Sequence, residues 1–214
     1  MSIPLPILSG IALGIFAAFW QACSYFGSRG FLLYTRSSSR ALLGLAHVLM
    51  GIFALILLPF AYLQVRGGLM PVGDYILPLL ATTFFYLSGQ FMLFFALKSM
   101  DSSRVAPLLG LKIPILALFS VLFFGETLSA QAVMAVLVCT GGALAISPPT
   151  SLPRLGELGL ILLTCSAYCL SDIFIPKLVN GLNPEPTVWH IVFGVCLSYV
   201  LAGVVGIMVS LHVG

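Results

Sequence analysis

Charge is what this sequence has least of. Nine Lys and Arg with six Asp and Glu make up 7% of 214 residues and leave a net charge of +3, where a soluble domain carries about 25% charged residues. The shortage excludes an ordinary soluble globular protein. No run of like charges forms a tail or a patch, so nucleic acid is not an expected partner. Cysteines are few and odd in number: the five, Cys23, Cys139, Cys165, Cys169 and Cys196, all lie in apolar stretches. A secreted disulfide framework does not fit, and they read as small packing residues. Cys165 and Cys169, four apart, lack a nearby His or acid at ligand spacing beyond Asp172, so no metal is expected. Also missing are a Walker loop, HExxH, GxSxG and a dinucleotide fingerprint. Without them the chain reads as a non-enzyme with no cofactor and no ATP-driven step.

What is abundant is apolar sequence: 60% of residues are hydrophobic and the mean hydropathy is +1.16. A helix crossing a hydrocarbon core needs roughly 20 apolar residues, and lipid leaves the backbone only helices or a closed barrel. The spacing of the few charges then predicts spans over residues 1–28, 41–65 and 75–97, each free of internal charge. A fourth covers 103–124 with one internal charge, Lys112, and a fifth covers 128–146, ended by Pro148-Pro149. A sixth covers 157–178 with Asp172, and a seventh covers 187–212 with His190. The runs are long and do not alternate at period two, which argues against a barrel. Met1-Ser2-Ile3-Pro4 carries no positive charge, so the first run reads as a span and not a signal peptide.

A repeat is faintly visible. Sliding the first span onto the sixth sets Trp20 opposite Tyr168, Phe26 opposite Phe174 and Arg29 opposite Lys177. With a shorter loop, His47 and Gly51 fall on His190 and Gly194. A repeat that restarts at the sixth span implies a five-helix unit. Five is odd, so the second unit is expected to be inverted in the membrane, the arrangement that gives secondary transporters two interchangeable faces. The expected fold is an all-α polytopic membrane protein with seven transmembrane helices, a first five-helix unit over 1–148 and a partial inverted repeat over 149–214. A complete pair would need about 295 residues by doubling the repeat. This chain is then a truncated product, a fragment, or one half that pairs with a second polypeptide.

The stretch Ala106-Pro107-Leu108-Leu109, Ile113-Pro114-Ile115-Leu116-Ala117, Leu122-Phe123-Phe124-Gly125-Glu126-Thr127-Leu128-Ser129, Gln131 and Gly141-Gly142-Ala143-Leu144 resembles the EamA domain of the drug/metabolite transporter superfamily. The resemblance covers about residues 5–147, with a partial second copy from Leu155. It implies a ten-helix, two-repeat carrier of small metabolites that works by alternating access, and a bacterial cytoplasmic membrane as its location. Read from the residues alone, Gly125 permits a tight turn, and Glu126 with Ser129 suits a helix N-terminus, where a carboxylate and a hydroxyl meet orphan N–H groups. Pro114 removes a backbone hydrogen bond and predicts a kink. Gly10 and Gly14 share one face of the first helix and permit close helix packing, a spacing common among membrane helices.

An ionisable residue at mid-membrane costs about 2.5 to 3.5 kcal/mol on insertion scales, so Lys112 and Asp172 each need a partner or a purpose. Facing inward, they would pair across a cavity and bind a zwitterionic or charged solute, or Asp172 would carry a coupling proton. Alternatively Lys112 snorkels and Asp172 pairs with Lys177. Trp20, Gln21, Tyr86 and Gln90 are the other candidate binding residues, with Tyr86 and Gln90 on one helix face. Each of these four also has a packing or interface-anchoring alternative. His47 and His190 are read as interfacial, with titration as the alternative. The first helix is expected to pack near the sixth, and Lys112 to face the interior beside one of them.

Arg29, Arg36, Arg40, Lys98, Arg104 and Arg154 fall in loops of one side, and only Arg66 and Lys177 in those of the other. The positive-inside rule thus sets the N-terminus outside, whereas the resemblance implies a cytoplasmic N-terminus. Taken together, these features describe a gradient-driven transporter of small organic metabolites or drugs. Its partners would be membrane lipid and a small-molecule solute, with a second copy or a complementary helical subunit. The alternative is a non-transporting membrane interaction or assembly protein, or a half-transporter needing a partner.

Overall fold

The computed structural model describes residues 5–146 and 154–212. Met1-Ser2-Ile3-Pro4, the Pro148-Pro149 breaker and the division at 148 lie outside the described residues. The chain runs α1 (Leu5–Tyr34), α2 (Ser39–Val65), α3 (Val72–Ser99), α4 (Ser102–Leu108), a 3-10 turn (Leu109–Leu111), α5 (Lys112–Phe124), α6 (Ala130–Ile146), α7 (Leu155–Leu182) and α8 (Val188–Leu211), with no strand among the described residues. Six segments are long and apolar enough to cross a membrane, counting Ser102–Phe124 as one. The seventh, α6, has 17 residues, or about 25 Å of helix, at the short end of the spanning range.

In lipid an apolar side chain gains little by leaving the tails for another helix, so packing follows from close backbone approach and hydrogen bonds. The interior is built that way. α2 packs along α8, and α3 along α7. A Cβ on Gly51 would lie 2.9 Å from Gly203 Cα, so only glycine lets α2 and α8 approach this closely. Gly10 and Gly14, whose spacing permits such an approach, have nothing within 4 Å of a Cβ built on them. The glycines that let helices approach closely include Gly51, Gly203 and Gly206 between α2 and α8 and Gly181 between α7 and α3, and sequence spacing does not tell a lipid-facing pair from a helix-facing one.

α1 contacts α3 chiefly, with smaller contacts to α4 and α2. This corrects the expectation that the first helix packs near the sixth: α7 is occupied by α3, and α1 faces it only across a cavity. Arg29, assigned by sequence to a loop, lies within α1 and ties it to the end of α3. Its guanidinium donates to the carbonyls of Leu97 (2.9 Å) and Met100 and to the Asp101 carboxylate.

The fourth span is broken rather than kinked at Pro114. Without an N–H, Pro114 cannot bond the carbonyl four residues back. The chain tightens ahead of it into the 3-10 turn, and Pro114 falls in the first turn of α5. Thiols from α7 meet the carbonyls at this break: Cys165 Sγ lies 3.8 Å from Leu109 O and Cys169 Sγ 3.3 Å from Lys112 O. Beyond α5, Gly125 adopts the left-handed conformation (φ 64°), and Glu126 N donates back to Ser120 O at 3.3 Å. The next helix starts later than the sequence predicts, so its cap is Ser129, whose Oγ accepts from Ala132 N at 3.2 Å. Glu126 stays in the exposed link ahead of it, where it is too far along the chain to serve as the cap.

Two apolar clusters close the bundle on either side of its middle. One joins Leu42, Leu43, Leu97, Met100, Val105 and Leu108 near the end where α3 turns into α4. The other joins Ala61, Val65, Leu79, Leu178, Leu182 and Phe193 near the opposite end.

Candidate functional site

Between those clusters lies a cavity of about 550 Å³, walled by α1, α2, α3, the break before α5, α7 and α8. This is within the 300–1,000 Å³ typical of small-molecule pockets. The break matters to the chemistry: it ends the fourth span's first segment midway along the span and starts α5 at Lys112. Lys112 Nζ meets Asp172 Oδ2 of α7 at 2.6 Å, with each side chain 36% exposed. At that exposure the ions are neither fully desolvated nor free in water, so the pair can be opened from the cavity at less cost than a buried one. Asp172 therefore pairs with Lys112 and not with Lys177, whose ammonium sits over the rings of Phe124 (5.4 Å) and Phe174 (5.2 Å). Lys112 does not snorkel; its ammonium is also 5.7 Å from the centre of the Tyr168 ring.

The remaining wall is aromatic and polar. Gln90 Nε2 donates to Tyr86 Oη at 3.2 Å, which fixes the Tyr86 ring in the middle of the site. Tyr86 lies 5.6 Å from His47, 5.9 Å from Tyr199 and 6.4 Å from Tyr168, centre to centre. His47 is 1% exposed, and its Nδ1 donates to Leu43 O at 2.8 Å. The ring's other nitrogen, Nε2, and the Tyr168 hydroxyl are buried without a hydrogen-bond partner among the described residues.

Of the residues singled out from the sequence, Gln21, Tyr86, Gln90, Lys112 and Asp172 line this one cavity, and His47 joins them. The interfacial reading of His47 does not hold, because its side chain is buried among the helices beside the cavity. His190 is buried too, but apart from the cavity: its Nδ1 accepts from Thr187 N (3.1 Å) at the start of α8. Trp20 is outside the cavity; it is 57% exposed, edge-on to Phe16 and Phe19. Gln21, Ser24, Tyr25 and Ser28 on α1 have the same spacing as Tyr168, Ser171, Asp172 and Ile175 on α7. That register is one residue away from the one that sets Trp20 against Tyr168. Sequence reasoning missed Tyr25, Tyr168 and Tyr199 as wall residues. A signal existed for two of them, since Tyr25 is one turn from Gln21 and Tyr168 one turn from Asp172.

Residues 8–147 match the model of the EamA-like transporter family. No curated protein matches the chain. The matched span takes in every helix from α1 to α6, including the broken fourth span that delivers Lys112. An all-helical membrane protein with an interior cavity agrees with that match, and this chain belongs to the EamA-like transporter family.

Proposed function

We propose that this chain carries small organic solutes, metabolites or drugs, across a membrane by gradient-driven alternating access, with the Lys112–Asp172 pair at the solute site. One observation supports the reading most: an accessible ion pair in a cavity between two apolar closures. Ionisable groups at that depth are retained where they bind or relay. Gln21, Tyr86 and Gln90 form the rest of the polar wall in this reading. Residues 1–148 act as one five-helix unit and 149–214 as the start of an inverted second one, and the location is a bacterial cytoplasmic membrane. Solute flux into sealed proteoliposomes is the direct test. Lys112→Ala is expected to reduce flux about tenfold or more while membrane insertion is unchanged or improved, because removing a cation from the middle of an apolar span eases insertion by about 2.5 to 3.5 kcal/mol. Full flux by the variant would sink the role of Lys112.

A second reading, a half-carrier completed by another helical chain, is favoured by α1, in which no residue from Leu8 to Phe31 is buried. Co-purification of a complementary helical protein, with flux only when both are present, would support it over the single-chain carrier.

A further inference from the structure

We infer that the cavity selects compact zwitterions, solutes whose carboxylate and ammonium sit on neighbouring atoms, in preference to solutes of a single charge. The inference rests on the reading of this cavity as the solute site. It follows from counting charges in a half-desolvated space. Lys112 and Asp172 neutralise each other across 2.6 Å, so the unloaded site is already balanced. A monoanion that takes Lys112 strands the Asp172 carboxylate, and a monocation that takes Asp172 strands the Lys112 ammonium. Leaving one ion of an enclosed pair without its partner is the costly outcome. A zwitterion exchanges one pair for two, carboxylate on Lys112 and ammonium on Asp172, and leaves nothing unpaired.

Geometry restricts the solute further. The two protein groups touch, so a ligand with adjacent charges can bridge them with little displacement, while one with charges at opposite ends of a chain would force them apart. The body of the solute would lie against the tyrosine faces of the wall, Tyr86, Tyr168 and Tyr199, whose rings stand 5.9 and 6.4 Å from one another through Tyr86. Aromatic walls accept apolar bodies and also attract ammonium groups. Gln21, Gln90 and Ser171 supply neutral polar groups on the same wall.

Binding to the purified full chain in detergent tests this with four probes: norleucine, its isomer 6-aminohexanoate with separated charges, hexanoate and pentylamine. Norleucine is expected to bind about tenfold or more tightly than the other three, read as a dissociation constant by calorimetry. The selectivity should then invert by design. Asp172→Asn should prefer hexanoate, and Lys112→Met should prefer pentylamine. The exchanged double variant, Lys112→Asp with Asp172→Lys, keeps the balance of charge and should keep the preference for norleucine, which guards against single variants that fail to fold. Hexanoate or pentylamine binding the native chain as tightly as norleucine would overturn the inference and leave the transport reading standing. So would an exchanged double variant that folds and prefers a single-charge probe. Binding of none of the four by a chain that carries some other solute in vesicles would also overturn the inference alone; absence of flux for every solute would overturn the transport reading itself.

Discussion

The four helices α2, α8, α3 and α7 and the flanking helices α1 and α5 are all apolar but are held in different ways. The inner four meet through backbone. Gly51 and Gly203 bring α2 and α8 into contact, and a Cβ on Gly181 would lie 2.6 Å from Asp74 O where α7 passes the start of α3. The flanking helices α1 and α5 are tied to the rest by a few polar side chains: Arg29 on the α3 terminus and cysteine thiols on the carbonyls at the fourth-span break. Because lipid tails are as apolar as leucine, hydrophobicity does not separate the two groups; small residues and hydrogen bonds do. The cavity has its walls from both groups, with Asp172 on an inner helix and Lys112 at the head of a flanking one.

The comparison can be broken most strongly at the inner seam. Gly203→Leu would drive a side chain into the backbone of α2, and we expect a loss of roughly 3 kcal/mol, the upper range for overpacking, measured as a fall in the thermal midpoint in detergent. An unchanged midpoint would mean that α2 and α8 do not meet as described. Arg29→Gln is the matching test of the flank. It removes charge-assisted bonds to carbonyls and should lower stability by about 1.5 kcal/mol, with proteolysis in the α1–α2 loop increasing as α1 loosens. The finest test separates Ser129 from Glu126. Ser129→Ala should destabilise α6 by about 0.5 to 1 kcal/mol through loss of its cap, whereas Glu126→Ala should leave α6 protected to the same degree in hydrogen exchange. Equal effects from both would reassign the cap.

Much of the fold was legible in the sequence because charge is so expensive in lipid that its gaps mark the spans. Lys112 and Asp172 stood out for the same reason, as rare ions inside apolar runs. Rotation of the helices was not legible. A lipid-facing residue and an interior one are both apolar, so the pattern gave no sign that Trp20 turns outward while Gln21, its neighbour, turns in. The same blindness hid Tyr199 in the wall. Pro114 predicted trouble in the fourth span correctly, but a missing N–H frees a carbonyl one turn earlier, and the break falls there.

Arg29 also bears on how the protein is made. Its acceptors at Leu97, Met100 and Asp101 follow it by 68, 71 and 72 residues, so during vectorial synthesis α1 enters the bilayer with a guanidinium that has nothing of its own chain to bind. Until α3 and the corner after it emerge, that cation must reach to the headgroup region along its flexible stem. The bonds that hold α1 to the corner between α3 and α4 can therefore form only once that corner has been made.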